Sequence, residues 1–440
     1  MLHNWPLAVD VIVVGSGPGG ATVARQLAKG GKQVLIVERG HDYRQKFYYG
    51  SYLGAVRYSE RMTMLFTEEG LNVIAPIMKG GATSMFCGCS AMPPPWLKEK
   101  YGIDIETEAN ETIEELGILP LPENLRGKAS TRIAQAAIGL GYEWFPQPKF
   151  MNPELCKRRT KGFDCSANCM LGCRCGAKWN AAEWIDEALA QGALLRTGVR
   201  VNRVLIEGGQ AVGIEGRLGF KRFTARSNLV VLAAGGIGTP RILQNSGLKA
   251  AGEGITMDTT TMIYGFTKER GTGKEPPMTW SWENQEVGYM LSTLTDPWLL
   301  YPLAAVRKGL GPALRWLRWN KMLGVMIKLK DEISGGILPN GKISKPMTRN
   351  DNERLNHAYE VCRKILIEAG ANKSTIFMRP FIGTHPSGTV RIASMLDTNL
   401  QTEIKGLYVC DASVFPESLG RPTVLTIIGF GKRLAKYLLT

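Results

Sequence analysis

The first forty residues carry the clearest pattern of hydrophobic and polar positions in the chain. Asp10 to Val14 is a short β-branched run, which is typical of a buried parallel strand. Glycines follow, and then comes a helical pattern in which Val23 and Leu27 lie four positions apart. A second apolar run, Val34 to Val37, ends in Glu38. This order predicts a strand, a glycine turn, a helix and a second strand.

The glycine turn has the spacing G-x-G-x-x-G, formed by Gly15, Gly17 and Gly20. In that arrangement Gly15 makes the tight turn, Gly17 lets a pyrophosphate approach the backbone, and Gly20 lets the helix pack on the strand. The helix N-terminus adds amide donors and a positive dipole. Glu38 follows at the distance expected of a residue that accepts hydrogen bonds from the adenosine ribose. The pattern predicts dinucleotide binding, with NAD and FAD both open at this point; the alternative is a purely structural glycine turn.

Two later regions of the sequence bear on the choice between NAD and FAD. Residues 229–248 read LVVLAAGGIGTPRILQNSGL, which predicts a strand, a glycine turn and a helix starting near Thr239. Residues 383–393 read GTHPSGTVRIA, and residues 406–435 read GLYVCDASVFPESLGRPTVLTIIGFGKRLA. With the N-terminal fingerprint and the Gly80-Gly81 turn, these motifs resemble the glucose–methanol–choline (GMC) family of FAD-dependent oxidoreductases. The resemblance covers most of the chain.

The resemblance implies FAD as the cofactor. Asp411 would contact its ribityl or pyrophosphate part, and a helix opened by Pro422 and Thr423 would point its positive end at the flavin. The residues expected to bind FAD are Gly15, Gly17, Gly20, Glu38, Arg39, Gly80, Gly81, Val201, Ala234, Asp411, Ala412, Pro422 and Thr423.

The resemblance also implies that His385 accepts the proton of a substrate hydroxyl while hydride leaves the carbon. Imidazole suits this task because its ordinary pKa is close to neutral pH. A hydrogen-bonded structural histidine is the alternative. The family pairs this residue with a second His or an Asn, but here the local sequence is Leu-Gly-Arg421-Pro-Thr423. Arg421 could hold an alkoxide or carboxylate, and Thr423 could donate a hydrogen bond.

Four of the nine cysteines fall inside eleven residues: Cys165, Cys169, Cys173 and Cys175. Soft thiolate ligands select zinc, copper(I) or iron–sulfur centres. The segment resembles the cysteine loop of GMC dehydrogenases that carry an iron–sulfur cluster. The long-chain alcohol oxidase branch of the family, which the chain also resembles, has a similar loop without a cluster. A reduced structural loop and a disulfide are the alternatives. Cys87 and Cys89 are expected to be small packing residues near the flavin.

The composition adds a net charge of +15 and 44% hydrophobic residues, which is typical of a globular protein with a basic surface. Residues 297–330 hold seven basic residues and no acidic one. Within them, residues 312–323 predict a helix with basic residues on one side and Trp316 and Trp319 on the other, which is typical of a helix in a membrane interface. A surface helix whose tryptophans pack inward is the alternative. Nucleic acid is not expected as a partner, because no recognition module accompanies the charge.

No apolar stretch is long enough to span a bilayer, and no secretion signal is visible. We therefore expect a cytoplasmic protein or one peripheral on the inner face of the membrane, with export alongside a leader-bearing partner subunit left open.

The predicted fold class is α/β (α+β overall), with a discontinuous Rossmann-like FAD-binding domain over residues 8–95, 193–258 and 380–440. An insertion with the cysteine-rich loop would occupy residues 96–192, and a β-sheet substrate domain residues 259–379. The predicted function is that of a GMC-type dehydrogenase. It would oxidise a hydroxylated small molecule, and one form of the prediction makes that molecule lipophilic. Electrons would pass through an iron–sulfur cluster to a protein or quinone acceptor. The alternatives are a flavin/iron–sulfur electron-transfer subunit and a reductase of C=C or C=O bonds.

Overall fold

The protein combines two main β-sheets with helices packed against them. The computed structural model describes residues 9–63, 65–156, 168–269, 271 and 275–440. The α-helices are α1 (Pro18–Lys29), α2 (Tyr52–Arg57), α3 (Trp96–Tyr101), α4 (Glu106–Leu116), α5 (Lys128–Gly139), α6 (Ala182–Ala190), α7 (Gly235–Asn245), α8 (Leu300–Ala305), α9 (Leu310–Leu314), α10 (Arg349–Glu368) and α11 (Val424–Leu439).

Most strands are short; the longest belong to the second sheet and to the three-stranded meander β8-β9-β10. They are β1 (Val11–Val14), β2 (Val34–Val37), β3 (Asn72–Val73), β4 (Leu119–Pro120), β5 (Phe145–Pro146), β6 (Pro148–Lys149), β7 (Leu194–Arg196), β8 (Val199–Glu207), β9 (Gln210–Leu218), β10 (Lys221–Arg226), β11 (Val230–Leu232), β12 (Glu253–Ile255), β13 (Thr260–Phe266), β14 (Trp280–Asn284), β15 (Tyr289–Thr293), β16 (Met322–Leu329), β17 (Ser334–Ile337), β18 (Ile343–Ser344), β19 (Phe377–Met378), β20 (Ile382–Gly383) and β21 (Leu407–Val409).

The first sheet is parallel, with five strands in the order β21-β11-β1-β2-β7. The strands β1, β2 and β11 are buried along their whole length, as the unbroken apolar runs predicted. Helix α1 packs against α11 and α6. The sheet draws its strands from the start, the middle and the end of the chain, so the α/β fold class and its discontinuous parallel sheet are confirmed.

The second sheet has eight strands and is built around the antiparallel run β13-β16-β15-β14. On β16, Val325, Ile327 and Leu329 pack in the core against α10 and α5. Met322 and Met326 face the other side, where they join a second apolar cluster. Because side chains alternate along a strand, Lys328 shares the face of Met326.

Two helices begin at other residues than the sequence suggested. Helix α7 starts at Gly235, so Pro240 lies inside it. The carbonyl of Gly236, which a proline four residues later cannot reach, accepts a hydrogen bond from the Thr389 hydroxyl at 2.9 Å instead. Helix α11 starts at Val424, with Thr423 at its N-cap position. Across the described residues, none of the helices combines the length and the apolar character that crossing a bilayer requires.

Candidate active site

A cavity of about 430 Å³ runs from the carboxyl ends of the parallel strands to the face of the second sheet that carries Met326. At one end it is lined by the glycine turn after β1 and by the turn before α7. At the other end it is lined by side chains of β13 and β16 and by His385. We call the first the dinucleotide end and the second the reaction end of one continuous cavity, after the roles that the sequence predicts for their residues.

The glycine turn has the backbone that the dinucleotide prediction requires. Gly15 has φ +106°, and a Cβ on it would lie 2.2 Å from the carbonyl oxygen of Ala233. A Cβ on Gly20 would lie 2.1 Å from the carbonyl oxygen of Gly15. A Cβ on Gly17 would meet no protein atom within 4 Å, and Gly17 lines the cavity. Gly15 and Gly20 thus serve packing, whereas Gly17 leaves space that a ligand can use.

Glu38 lies at the dinucleotide end of the cavity, where the sequence predicts that it binds ribose. Its carboxylate accepts hydrogen bonds from the amide and the hydroxyl of Ser16, at 3.0 and 2.7 Å, and from the Gly40 amide at 2.7 Å. Arg39 lines the cavity beside it and pairs with Glu60. These bonds hold the glycine turn and the acidic residue in a fixed relationship.

The Gly80-Gly81 turn closes over the glycine motif. The Gly80 amide donates to the Ser16 hydroxyl at 3.1 Å. A Cβ on Gly81 would lie 3.0 Å from the Cα of Gly17, and Gly81 lines the cavity. Val201, Ala234, Ala412 and Pro422 also line it.

Asp411 ties the end of the parallel sheet to the start of α7. Its carboxylate accepts from the Gly235 amide (2.8 Å), the Thr239 hydroxyl (2.6 Å) and the Ser413 amide (2.8 Å). Burial raises the pKa of Asp411, although these bonds oppose the shift. Thr423 and Val424 line the cavity where α11 begins, and the first turn of this helix holds no acidic residue, so its positive end is directed at the cavity.

These features fit FAD. The open face of Gly17, the helix N-termini without acidic side chains and the ordered Glu38 offer donors to phosphates and an acceptor to ribose. Every residue that the sequence assigned to FAD lines this cavity, except Gly20 and Gly80, whose packing shapes the turns around it.

His385 lies at the reaction end, paired with a residue that the sequence did not single out. Its Nδ1 lies 2.7 Å from Oδ2 of the buried Asp258. Burial tends to raise the pKa of Asp258, but the hydrogen bond and charge of His385, with Lys328 and Ser418, lower it overall. Asp258 is therefore ionised and can only accept, so Nδ1 carries the proton and Nε2 keeps its lone pair. Burial and the charge of Lys328 lower the pKa of His385, which keeps the imidazole neutral.

Asp258 is held in a backbone conformation that is uncommon for a non-glycine residue, with φ 44°. The buried carboxylate of Asp331 accepts hydrogen bonds from the amides of Met257 and Asp258, at 3.1 Å each. The second oxygen of Asp258 accepts from the Ser418 hydroxyl at 2.6 Å and from the Gly420 amide at 3.1 Å. Such local strain persists only where its surroundings enforce it, and it is common at functional sites.

Lys328 lies in the same part of the cavity and was not predicted either. Its ammonium donates to the Thr384 hydroxyl at 2.7 Å and to the Thr260 hydroxyl at 3.4 Å. Burial lowers the pKa of Lys328, and Asp258 opposes that shift. A lysine inside a strand that is otherwise apolar along its eight residues was the available sequence signal for this residue. Asp258 carried no such signal.

Arg421 is directed elsewhere. Its guanidinium pairs with Glu283 at 2.7 Å and also donates to the Met92 carbonyl, and Arg421 does not line the cavity. The prediction that Arg421 holds the reacting oxygen is therefore not supported by its position, because its charge is already compensated. Thr423 lines the cavity, as expected.

Two family models describe large parts of this chain. The model "GMC oxidoreductase", in its N-terminal and C-terminal forms, matches residues 109–261 and 339–431, which together make up more than half of the chain. The chain belongs to the GMC oxidoreductase family. A model named "FAD binding domain" matches residues 8–68. This GMC protein is therefore an FAD-dependent oxidoreductase, and the sequence-based recognition of the family is confirmed.

Several proteins are similar to this GMC oxidoreductase. A long-chain-alcohol oxidase of Arabidopsis thaliana is 24% identical over 96% of this chain and 66% of its own length. The chain thus spans slightly less than two thirds of that relative. An uncharacterized protein of Methanocaldococcus jannaschii is 26% identical over 98% of this chain and 100% of its own. The 2-methyl-1,2-propanediol dehydrogenase of Mycolicibacterium austroafricanum is 27% identical over 56% of this chain and 52% of its own.

A solved structure shares the fold. The crystal structure of pyridoxine 4-oxidase from Mesorbium loti has a TM-score of 0.70 with 15% identity, over 98% of this chain and 99% of that chain. At this identity the similarity extends to the fold alone.

The cysteine loop of this GMC oxidoreductase does not form the predicted ligand set among the residues that the structure describes. Cys165 lies outside them. Cys173 and Cys175 have their sulfur atoms 3.6 Å apart, but the buried Cys169 lies near Cys87 and Cys89, whose thiol pKa values it helps to raise. Within the described ranges of the chain, no group of three His, Cys, Asp or Glu side chains is placed to hold a metal ion.

Two buried lysines lie near the cysteine loop, and one of them, Lys178, binds it. The ammonium of Lys178 donates to three carbonyls, those of Ser84 (3.0 Å), Phe86 (2.6 Å) and Cys169 (3.0 Å). Lys149 donates to the carbonyls of Cys87 and Pro277, at 2.7 and 2.8 Å, and lies 3.2 Å from the sulfur of Cys89. Phe86, Cys87 and Cys89 line the cavity. Lys178 therefore connects the cysteine loop to the cavity wall, and Lys149 holds that wall from β6.

In the basic segment at residues 297–330, Trp316 and Trp319 pack inward, whereas Trp298 is about half exposed. Trp316 lies against Trp298 in a tilted contact with ring centres 4.5 Å apart, and the indole N–H of Trp319 donates to the Asp296 carbonyl at 3.0 Å. Trp316 and Trp319 are half-buried and pack against the apolar cluster on the cavity side of the second sheet. Their position favours the alternative prediction, a surface helix whose tryptophans pack inward. Among the large apolar side chains of the segment, the most exposed are four leucines, Leu303, Leu310, Leu314 and Leu317, here called the leucine surface.

Proposed function

We propose that this FAD-dependent oxidoreductase oxidises the hydroxyl group of a lipophilic small molecule, with His385 as the base. The observation that carries the proposal is the Asp258–His385 pair, 2.7 Å apart, at the reaction end of the FAD cavity. Relatives named as an alcohol oxidase and a diol dehydrogenase support the reaction class.

The chemistry follows from the protonation states. FAD, when bound, supplies the acceptor for hydride. Nε2 of His385 has a free lone pair because Asp258 fixes the proton on Nδ1. A hydroxyl hydrogen-bonded to Nε2 can lose its proton to the imidazole while its carbon loses hydride, and the imidazolium formed is stabilised by the ionised Asp258. Base catalysis of this kind typically contributes about 10²–10⁴-fold.

The lining of the reaction end supports a lipophilic substrate. It is dominated by flexible apolar side chains: Met170, Met262, Met278, Leu294, Met326 and Ile382. Methionine adapts to irregular apolar ligands, and a cavity with this lining offers few polar groups besides His385, Lys328 and the two threonines beside Lys328. We therefore expect alkyl alcohols to be better substrates than polyols.

The decisive experiment is anaerobic bleaching of the flavin by a panel of alcohols, with octanol, benzyl alcohol, glycerol and glucose as probes. We expect octanol or benzyl alcohol to bleach the flavin of the wild type. His385→Gln should retain FAD and be reduced at least about 10²-fold more slowly. The loss should shrink at high pH, where hydroxide replaces the base.

His357→Gln is the matched control, because His357 contacts Tyr289 on the opposite side of the second sheet. A wild-type flavin that no alcohol bleaches would favour the electron-transfer or reductase alternatives. A His385→Gln variant as fast as the wild type would make His385 structural.

For the electron acceptor we propose a protein or a quinone, as the resemblance to GMC dehydrogenases implies. A comparison of turnover with a soluble quinone analogue and turnover with oxygen tests the choice of acceptor. An iron–sulfur relay on Cys165, Cys169, Cys173 and Cys175 stays a prediction from the sequence, and we route no step through it. Iron and acid-labile sulfide at stoichiometric levels in anaerobically purified protein would establish the relay, and background levels would reject it.

We also propose a peripheral contact with an anionic membrane through the leucine surface. Leu310, Leu314 and Leu317 are separated by four and three residues, and all four leucines of the surface are at least two-thirds exposed. Arg307 and Arg318 are exposed within the same segment, which contains no acidic residue. Apolar side chains flanked by basic ones are typical of a surface that lies in a lipid headgroup region, where each basic residue adds about 1 kcal/mol.

A further inference from the structure

Lys328 is the cationic side chain that the second sheet directs into the reaction end of the cavity. The alternation of β16 places Ile327 and Leu329 in the core against α10, and Met326 and Lys328 in the cavity wall. Lys328 is 3% exposed. A lysine is rarely buried to this extent unless it is paired.

The hydrogen bonds of Lys328 leave part of its donor capacity unused. An ammonium has three N–H donors. In the described part of the chain, its hydrogen-bond partners are the hydroxyls of Thr384 and Thr260, the second at 3.4 Å, and no carboxylate forms an ion pair with it. Lys178 and Lys345, also buried, are different, because carbonyls surround the first and Asp331 pairs with the second. The remaining donor of Lys328 is available to a ligand in the cavity.

Negative groups near Lys328 favour its charged form, whereas the imidazole of His385 beside it is neutral. Asp258 and Asp331 contribute negative charge near Lys328, and the thiols of Cys87 and Cys89 lie on the same side. Asp258 is already engaged by His385, Ser418 and Gly420. A cation and a neutral base thus share one apolar enclosure, the arrangement that best assists the ionisation of a hydroxyl.

We propose that the ammonium of Lys328 binds the oxygen of the substrate hydroxyl and stabilises the alkoxide that develops when His385 removes the proton. This inference rests on the proposed function. In the step, the O–H bond breaks and its proton moves to Nε2 of His385. The C–H bond breaks with its electron pair, which leaves as hydride to FAD, and the C=O bond forms. Lys328 supplies no proton and forms no covalent bond.

The assignment accounts for the missing second His or Asn before α11. Arg421, which occupies that part of the sequence, is neutralised by Glu283. Lys328 reaches the cavity from a different element, the centre of the second sheet, so no motif around residue 421 could reveal it. Loss of one donor to a developing oxyanion typically slows the chemical step about 10²–10³-fold.

The test compares wild-type holoenzyme with Lys328→Met and Lys328→Arg. Met keeps the length and apolar stem, and Arg keeps the charge. We expect Lys328→Met to retain FAD, to lose about 10²-fold or more in anaerobic flavin reduction by octanol at saturation, and to shift the acid limb of the pH profile upward. The shift follows because Lys328 lowers the pKa of His385, so removing its charge raises that pKa. Lys328→Arg should recover part of the rate.

A second arm measures acetate binding to the oxidised holoenzyme through the perturbation of the flavin spectrum. Acetate presents an anionic oxygen without being oxidised, and its dissociation constant should rise at least about tenfold in Lys328→Met. Lys330→Met is the matched control, because Lys330 pairs with Glu417 and lies outside the cavity lining. Equal acetate affinity in wild type and Lys328→Met, or no acetate binding in either, overturns the inference. If no alcohol bleaches the wild-type flavin, the proposed function fails, and the acetate arm still decides whether Lys328 binds an anionic oxygen.

Discussion

Asp258 and His385 lie 127 positions apart in the sequence and are joined by a 2.7 Å contact between Oδ2 and Nδ1. The carboxylate fixes the imidazole tautomer and, through Ser418 and Gly420, also holds the loop that leads into α11. One buried residue therefore positions His385 and anchors the segment before the helix whose first turn lines the cavity.

The first prediction concerns this pair. Asp258→Asn keeps an oxygen that can accept from Ser418 and Gly420, but directs an N–H group toward Nδ1. This favours the tautomer with its proton on Nε2, where the lone pair is needed. Flavin reduction should fall at least about 10²-fold at neutral pH. Because Asp258 raises the pKa of His385, its neutralisation lowers that pKa, and the acid limb should move to lower pH.

Stopped-flow reduction across the acidic pH range measures both effects. Ser418→Ala removes a bond to the other oxygen of Asp258 and leaves the histidine pair intact, so it should reduce the rate far less. An Asp258→Asn variant with an unchanged rate and acid limb would rule out the positioning role.

The second prediction separates ligand space from packing in the glycine turn. A methyl group at Gly17 meets no protein atom within 4 Å, so Gly17→Ala should fold normally as apoprotein. Its methyl group would occupy the space beside the pyrophosphate, and FAD affinity should fall about tenfold or more, which is about 1.4 kcal/mol. FAD titration of the apoprotein and its thermal unfolding give the two readouts.

Gly20→Ala is the contrasting variant, because its methyl group would lie 2.1 Å from a backbone oxygen. It should lower the thermal stability of the apoprotein itself. Equal FAD affinity in Gly17→Ala and wild type would contradict the placement of the pyrophosphate at Gly17.

The third prediction concerns Lys178. Lys178→Met would leave three buried carbonyls without their donor, and the free energy of unfolding should fall by about 3 kcal/mol or more. Cys173, whose pKa is lowered by the thiol of Cys175 and by the charge of Lys178, should lose part of its thiolate character. Chemical denaturation and the pH dependence of thiol alkylation test these points.

Lys46→Met, an exposed lysine, serves as the control and should leave the stability within about 0.5 kcal/mol of the wild type. A Lys178→Met variant as stable as this control would show that the carbonyls find other donors.

The fourth prediction concerns the leucine surface. Leu310→Ser combined with Leu314→Ser and Leu317→Ser should weaken sedimentation with anionic phosphatidylserine vesicles, and salt should weaken wild-type binding. Trp316→Ala with Trp319→Ala should instead lower the thermal stability, since both indoles pack against the apolar cluster beside the second sheet. Failure of the wild type to sediment with these vesicles at low salt would reject the membrane contact.

The parallel sheet and the FAD fingerprint could be predicted because local physics determines them. The run from Asp10 to Glu38 combines a buried strand, a turn that glycine alone tolerates at Gly15, and a helix, and each part reinforces the others. The start of α7 could not be predicted, because the contact that compensates for Pro240 comes from Thr389, far along the chain.

The reaction end was predicted in part. His385 stands in a recognisable motif, but its partners Asp258 and Lys328 come from the second sheet and from the turn before it. Their roles depend on strand alternation and on a tertiary contact that no single segment encodes. The direction that Trp316 and Trp319 face could not be predicted for a related reason. A helical wheel identifies an apolar face but not whether the protein or the solvent meets it, and here the apolar cluster beside the second sheet contacts Trp316 and Trp319.

The position of β21 at the edge of the parallel sheet has a consequence for biosynthesis. This strand pairs with β11, and Asp411 and the start of α11 complete the cavity that Gly15 and Gly17 begin. A ribosome adding about 5 to 20 residues per second makes the two halves of that cavity tens of seconds apart. The nascent chain must hold β1 and α1 without their final neighbours during this interval. Assembly of the complete cavity is therefore a late event in synthesis, because it needs residues 407–424.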